Sequence, residues 1–190
     1  EHDDFKNLPI RENLLTRMQD AGVTLSVNLP VVSKPQNQAE VNRFAKESAR
    51  KNIIPFGGLH PDCENVAEEK LKDMGMAGIK FHPPFQKVHL EDPKYEEMWR
   101  RINALGFPVL IHCGTAKIAR PYDLYPSGVR KILKYAPDIP IIMAHMGSFC
   151  MMKNPEETLD DLPENVFIDT AMSAELEDSG EFEEIIRKFG

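Results

Sequence analysis

Three segments of this chain end in the same way: an apolar run typical of a buried strand is followed by a histidine and a turn. They are residues 77–83 (AGIKFHP), 108–114 (PVLIHCG) and 140–147 (PIIMAHMG), and a weaker copy occupies residues 53–61. Continuous apolar runs are typical of parallel strands whose sheet is covered by helices. Proteins built this way place their functional residues at the C-terminal ends of such strands. The repeat therefore predicts several histidines around one pocket.

Amphipathic helical segments alternate with strands along the whole chain. Strands are predicted at 24–29, 53–59, 78–82, 109–113, 141–145 and 166–171, and helices at 9–21, 39–51, 66–74, 95–105, 127–135, 155–162 and 181–189. The strands begin about every 25 to 32 residues, which is the spacing of a (β/α)8 TIM barrel. We expect one partial barrel domain over residues 1–190, covering about strands 2–7, with the first and last strands missing. No glycine-rich phosphate motif follows any strand, which argues against a nucleotide-binding doubly wound sheet.

Composition narrows the possible partners. A net charge of −7 disfavours nucleic acid, because binding to phosphate backbones needs a basic surface. No apolar stretch approaches the roughly 18–20 residues of a membrane span. Three cysteines without CxxC spacing indicate neither a disulfide framework nor a structural zinc site, so a cytoplasmic location is expected. The predicted partner is a small-molecule substrate, and a homo-oligomer stays open.

Strand alternation predicts which side chains face the barrel interior, since successive residues point to opposite sides. Lys80 and His82 are two residues apart and share the inward side. His112 faces inward on the next strand. On the strand after that, an inward His145 would take residues 141 and 143 inward and send residues 142 and 144 outward. Asp169 joins this group at the end of the last predicted strand.

The strand ends GIKFHP, VLIHCG and IIMAHMG resemble those of the amidohydrolase superfamily, in its amidohydrolase-related branch of metal-dependent barrel hydrolases and decarboxylases. The resemblance runs over essentially the whole chain. It implies one or two divalent metal ions, held by an HxH pair on strand 1, a His on strand 5, sometimes a His on strand 6, and an Asp on strand 8. By strand count His112 matches the strand-5 ligand and His145 the strand-6 histidine. The HxH pair and the final Asp have no counterpart in this sequence.

The resemblance also implies roles for the other polar residues. The metal is expected to be Zn, as one ion or two, because imidazole suits Zn²⁺. His112 is then a ligand, and His145 is a general acid/base or a second ligand. Lys80, with His82 beside it, is expected to bind a substrate carboxylate, although some relatives carry a carboxylated lysine at this strand. Arg120 and Asp169 are further candidates for substrate contact, and Asp169 could instead orient a histidine.

These residues together predict a metal-dependent hydrolase acting on a small carbonyl compound, such as an amide, ester or lactone, through metal-activated water. One alternative is a non-oxidative decarboxylase that uses the same metal site. Another is a barrel that binds a ligand without catalysis, or an inactive fragment.

Overall fold

The structure is a computed structural model that describes residues 10–63, 68–114, 121–148 and 157–172, together with residues 183, 186 and 187. In this part of the chain the helices are α1 (Ile10–Asp20), α2 (Gln38–Ser48), α3 (Glu68–Asp73), α4 (Pro83–Gln86), α5 (Glu96–Leu105) and α6 (Pro126–Leu133). The strands are β1 (Ser26–Asn28), β2 (Ile53–Pro55), β3 (Gly57–Gly58), β4 (Ile79–Phe81), β5 (Val109–Ile111), β6 (Ile141–Met143) and β7 (Val166–Ile168). A left-handed turn over Ala144–Ser148 follows β6.

All strand pairs are parallel, and neighbours in space are neighbours in sequence. β1 pairs with β2, and β3 to β7 form a second sheet in chain order. One residue separates the two sheets: the Phe56 amide donates to the Asn28 carbonyl, and the next amide, that of Gly57, donates to the Gly78 carbonyl. The predicted strand 53–59 is therefore real and changes partner at Phe56. The result is a continuous arc of parallel strands, which confirms the predicted α/β architecture.

Two apolar layers lie on opposite faces of the arc. The large outer layer joins strand residues such as Ile79, Val109 and Ile111 to side chains of the helices, among them Trp99 and Ile132. The smaller inner layer contains Phe56, Leu110, Ile142 and Ala144, with Leu29 and Ile54 packed against it. Lys80, Leu110 and Ile142 are paired across β4, β5 and β6, and paired residues of parallel strands face the same side. Lys80 and, two residues beyond Leu110, His112 therefore belong to the inner face, as predicted from alternation.

The predicted facing of β6 is wrong. Ile141 and Met143 lie in the outer layer, whereas Ile142 and Ala144 lie in the inner one. Their register explains this, because Ile141 pairs with Val109 and Met143 with Ile111, both of which face the helices. Alternation alone would then point the His145 side chain outward. Another feature of the backbone must therefore turn it to the inner face.

The helix predicted over 155–162 is also wrong in the part that the structure describes. Residue 157 is in a 3-10 conformation and residues 158–162 contain a bend and a turn, so no α-helix is present over 157–162. Their polar groups bind elsewhere: Glu157 accepts hydrogen bonds from the amide and hydroxyl of Ser127 at the start of α6, and Arg130 of α6 donates to the Thr158 carbonyl. Contacts of this kind compete with helical hydrogen bonding.

The structure also bears on membrane spans and on cysteine pairing. Among the described residues, no helix is both long enough and apolar enough to cross a membrane. Neither Cys63 nor Cys113, the cysteines that the structure describes, is part of a disulfide bond. The expected cytoplasmic location stays a prediction.

Close packing on the inner face depends on Gly78, immediately before β4. A Cβ atom at this position would lie 2.4 Å from Cζ of the Phe56 ring. Phe56 is 7% exposed and is the largest side chain of the inner layer. Glycine therefore gives the ring its space beside the strand that carries Lys80.

We expect Gly78→Ala to lower the free energy of unfolding by about 1–3 kcal/mol, because the added methyl group overpacks the inner layer. Urea denaturation measures the change. The double variant Gly78→Ala/Phe56→Leu is the control. With a smaller side chain at position 56, the alanine should lower the free energy of unfolding less, relative to Phe56→Leu, than it does in the natural protein. A single variant as stable as the natural protein would show that the ring does not pack against Gly78.

Candidate active site

His112 and His145 meet at the C-terminal end of the arc. His112 directly follows β5, is 9% exposed, and its amide donates to the Phe81 carbonyl at 3.0 Å. Nε2 of His145 lies 3.0 Å from Nδ1 of His112, and the two rings meet edge to face with centroids 4.8 Å apart. The two histidines singled out by the sequence are therefore in direct contact.

The left-handed turn after β6 makes this contact possible. His145, Met146 and Gly147 all have positive φ, at 61°, 54° and 67°. For residues with a Cβ this conformation costs roughly 1–2 kcal/mol each, so other interactions must hold it. Met146 is completely buried, and the Cβ that glycine lacks at 147 would lie only 3.1 Å from Leu159. The turn reverses the alternation and brings His145 to the inner side.

Asp169, at the end of β7, is bonded to both sides of this turn. Its Oδ1 accepts hydrogen bonds from the amides of His145 at 2.7 Å and Ala171 at 3.1 Å. Its carbonyl accepts from the Met146 amide at 2.8 Å, and its own amide donates to the Met143 carbonyl at 3.1 Å. The structure thus places this predicted substrate residue against the backbone of the site, with Oδ1 already engaged.

The protonation of the His145 ring follows from its second contact. Nδ1 lies 3.0 Å from the Ala171 carbonyl oxygen. A carbonyl only accepts hydrogen bonds, so Nδ1 carries a proton. In the neutral ring Nε2 is then the basic nitrogen, and it points at Nδ1 of His112. The pair shares one proton, donated by His112 to His145.

His82 extends the histidine pair into a row. Its ring stacks on that of His112 with centroids 3.8 Å apart and on its other side stacks on Phe85 at 4.0 Å. Phe85 is 55% exposed. The order across the site is therefore Phe85, His82, His112 and His145, and three imidazoles from successive strand ends lie together.

Sequence reasoning missed Gln86, which fixes the position of His82. Its Nε2 donates to the Leu59 carbonyl at 2.5 Å, and its Oε1 accepts from the His82 amide at 2.9 Å. The side chain is 4% exposed, and it links the end of β3 to the end of β4. The only available signal was its spacing, since Gln86 lies one helical turn beyond His82 in α4.

Lys80 lies on the inner face of β4 and is 7% exposed. Burial lowers its pKa from 10.5 to about 8, and electrostatic interactions with Cys113 and Asp169 partly oppose that shift. A buried ammonium is costly unless a counter-charge or ligand approaches it. Its position beside the histidine row suits an anionic group.

His60 lies apart from this row. It ends the weaker copy of the repeat and is buried, and its Nδ1 accepts a hydrogen bond from the Asp62 amide at 3.2 Å. Arg120 lies outside the described residues, so its substrate contact stays a prediction.

The facing nitrogens of His112 and His145 have the donor chemistry of a metal site. Imidazole nitrogen suits zinc, and two nitrogens bound to one tetrahedral zinc at about 2.0–2.1 Å lie about 3.3 Å apart. The 3.0 Å between Nδ1 of His112 and Nε2 of His145 is close to this separation. The described part of the chain contains no group of three or more His, Cys, Asp or Glu side chains that could hold a metal. The pair therefore supplies donor atoms that fit a metal site, either with both nitrogens as ligands or with one as a ligand and the other beside it.

The sequence matches one protein family over most of its length. The family model for amidohydrolases matches residues 11–187. The chain belongs to the amidohydrolase family. Members of this family are generally metal-dependent enzymes, and the match covers every described residue of the site. No curated protein matches the sequence.

Solved structures support the barrel fold of this amidohydrolase. A TIM-barrel protein from Bordetella bronchiseptica matches with a TM-score of 0.61 at 14% identity, over 85% of this chain and 59% of that one. A protein named as a probable 2-pyrone-4,6-dicarboxylic acid hydrolase, from Acinetobacter baumannii with citric acid bound, matches with a TM-score of 0.62 at 13% identity, over 97% and 72%. The 5-carboxyvanillate decarboxylase of Sphingomonas paucimobilis gives 0.64 at 15% identity, over 93% and 68%.

The amidohydrolase chain spans only part of these structures. In eight similar solved structures its share of their length runs from 56% to 77%. This agrees with the arc of parallel strands and confirms the predicted fold class, a partial TIM barrel.

The pKa of Lys80 predicts how stability changes with pH. Between pH 8 and 10.5 the unfolded chain binds the lysine proton and the folded chain does not, so the free energy of unfolding rises with pH over this window. The full difference between about 8 and 10.5 corresponds to about 3 kcal/mol. We expect the stability of the natural protein relative to Lys80→Met to increase by an amount of this order.

Urea denaturation of both proteins at pH 7 and pH 10 measures this. The difference between the two proteins is needed because Tyr95, whose pKa burial and its bond to Asp62 raise to about 12, also titrates at high pH in the unfolded chain. Tyr95 is present in both proteins, so its contribution cancels in the difference between their free energies of unfolding. A constant difference between the two proteins would show that the Lys80 ammonium is not desolvated.

Proposed function

We propose that this amidohydrolase is a metal-dependent hydrolase that attacks a small, anionic carbonyl compound with activated water. The observation that carries the proposal is the contact between Nδ1 of His112 and Nε2 of His145 at 3.0 Å. The two ring nitrogens meet on the inner face of the arc, where strand ends of this fold carry catalytic residues. The family match supports the metal dependence.

His112 would hold the metal through Nδ1, which would give up the proton it shares with His145, with further ligands from water or from groups outside the described residues. When bound, a divalent ion such as zinc supplies a Lewis acid and makes water a better nucleophile near neutral pH. The row of stacked rings limits rotation of His112, because His82 covers one face of it. A ligand that is held in place in this way is oriented before the metal arrives.

His145 is proposed as the group that moves the proton. Because the Ala171 carbonyl occupies Nδ1, only Nε2 can act at the site. A single nitrogen cannot bind a metal and accept a proton at the same time, so the roles of ligand and base exclude each other. We assign Nε2 to proton transfer: it takes the proton of the attacking water and returns it to the leaving group.

Lys80 is proposed to bind a carboxylate of the substrate. Its ammonium is buried on the inner face, where a negative charge would be attracted strongly because water is excluded. Two similar structures are named for enzymes of carboxylic acids, a pyrone dicarboxylic acid and a carboxyvanillate. An anionic substrate explains why a lysine is kept in an otherwise apolar strand.

The two histidines predict different outcomes when each is replaced. We expect His112→Ala to lose bound zinc and activity together. His145→Ala should keep the zinc and lower kcat by about 10²–10⁴-fold, the usual contribution of a positioned acid/base. Metal content after dialysis is measured by elemental analysis, and kcat on any substrate that the natural protein turns over.

His89→Ala is the matched control, because that side chain is 62% exposed and contacts Glu91 rather than the histidine row. It should change neither measurement. Loss of zinc from His145→Ala would reassign that residue as a ligand. Absence of metal from the natural protein, with no activity after Zn, Mn, Fe, Co or Ni is added, would favour the non-catalytic reading.

A non-oxidative decarboxylase is the second candidate function. The similarity to the 5-carboxyvanillate decarboxylase favours it, and so does the juxtaposition of Lys80 and the histidines on one face. In that reaction the carboxylate leaves as CO₂ and a proton replaces it on carbon. His145 would enter this step as the imidazolium, donate the proton of Nε2 to carbon, and take a proton back from solvent.

The two reactions release different products. For a hydrolase we expect esters, amides or lactones of small carboxylic acids to be cleaved without release of CO₂. A panel of such compounds, together with unsaturated and aromatic acids labelled with ¹³C in the carboxyl group, separates the reactions by mass spectrometry. Labelled CO₂ from an acid, with no cleavage of any ester, amide or lactone, would replace the hydrolase by the decarboxylase.

A further inference from the structure

We infer that Asp169 is a positioning residue that selects the tautomer of His145 by holding the left-handed turn Ala144–Ser148. The inference rests on the proposed function only in giving His145 a role at Nε2. It assigns to Asp169 a task in the backbone of the site rather than contact with the substrate.

The first step is the need for the turn. Ile142 and Ala144 face inward on β6, so a further extended residue would point His145 into the layer beneath the helices. The positive φ of His145 prevents this. Without the turn, Nε2 could not reach His112.

The second step is the anchoring of the turn. Two amides converge on a single carboxylate oxygen: those of His145 and Ala171 lie 2.7 and 3.1 Å from Oδ1 of Asp169. Hydrogen bonds to a charged acceptor are stronger than neutral ones. The Met146 amide, bonded to the Asp169 carbonyl at 2.8 Å, adds a third connection. Together they offset the cost of positive φ at two residues that carry side chains.

The third step connects the anchor to the ring. Ala171 donates its amide to Asp169 and offers its carbonyl to Nδ1 of His145 at 3.0 Å. One carboxylate oxygen therefore sets both the backbone that carries the ring and the carbonyl that binds it. The consequence is a ring with its proton on Nδ1 and its lone pair on Nε2, directed at His112.

The test compares Asp169→Asn with Asp169→Ala. The amide oxygen of asparagine can still accept both backbone hydrogen bonds, whereas alanine removes them. Protein labelled with ¹⁵N in its histidine rings gives the tautomer directly from two-bond nitrogen–proton spectra, with His145→Gln used to assign the signal. We expect His145 to remain protonated at Nδ1 in the natural protein and in Asp169→Asn. In Asp169→Ala the signal should change to a mixture or to the opposite tautomer.

Asp138→Asn is the matched control, since that residue is exposed and bonds to Asn103 rather than to the site. It should leave the His145 signal unchanged. The Nδ1-protonated form persisting in Asp169→Ala would overturn the inference, and so would its loss in Asp169→Asn. If the alanine variant does not fold, the asparagine variant decides alone. A correct tautomer in a protein that binds no metal would sink the proposed function and leave the role of Asp169 intact.

Discussion

Parallel pairing in register is the constraint on which the rest of this structure depends. Because β4, β5 and β6 are aligned residue by residue, Lys80, Leu110 and Ile142 must share one face, and Ile79, Val109 and Ile141 the other. The outer set packs under the helices and leaves the inner set to make the site. Lys80 and His112 therefore reach the inner face through strand register alone.

This constraint explains how much of the molecule could be predicted from sequence. Apolar runs predicted every strand in the described part of the chain, and alternation placed Lys80 and His112 on one side, because both depend on extended backbone alone. The same rule failed on β6. Counting back from an inward His145 gives the right facing only if the backbone is extended at that residue. The left-handed turn begins there instead.

The local sequence gives little indication of the left-handed turn. Positive φ is usually marked by glycine, and only Gly147 of the three left-handed residues is one. The conformation at His145 and Met146 comes from Asp169, which is 24 residues from His145 in sequence. The helix predicted at 155–162 failed for a related reason, since Glu157 and Thr158 bond to α6. Long-range polar contacts override local pattern in both places.

The buried ammonium of Lys80 is energetically costly, and that cost indicates what the site can bind. At neutral pH the chain keeps a proton on an amine whose pKa burial has lowered to about 8, and the neighbouring Asp169 already uses one carboxylate oxygen on two amides. Desolvation of this kind is relieved when an anion approaches, because the charged amine and the ligand then stabilise each other. A carboxylate bound there would lie on the same face as the imidazole row. The binding of an anionic substrate and its presentation to Nε2 of His145 would then follow from the same feature of the fold, the shared inner face of neighbouring strands.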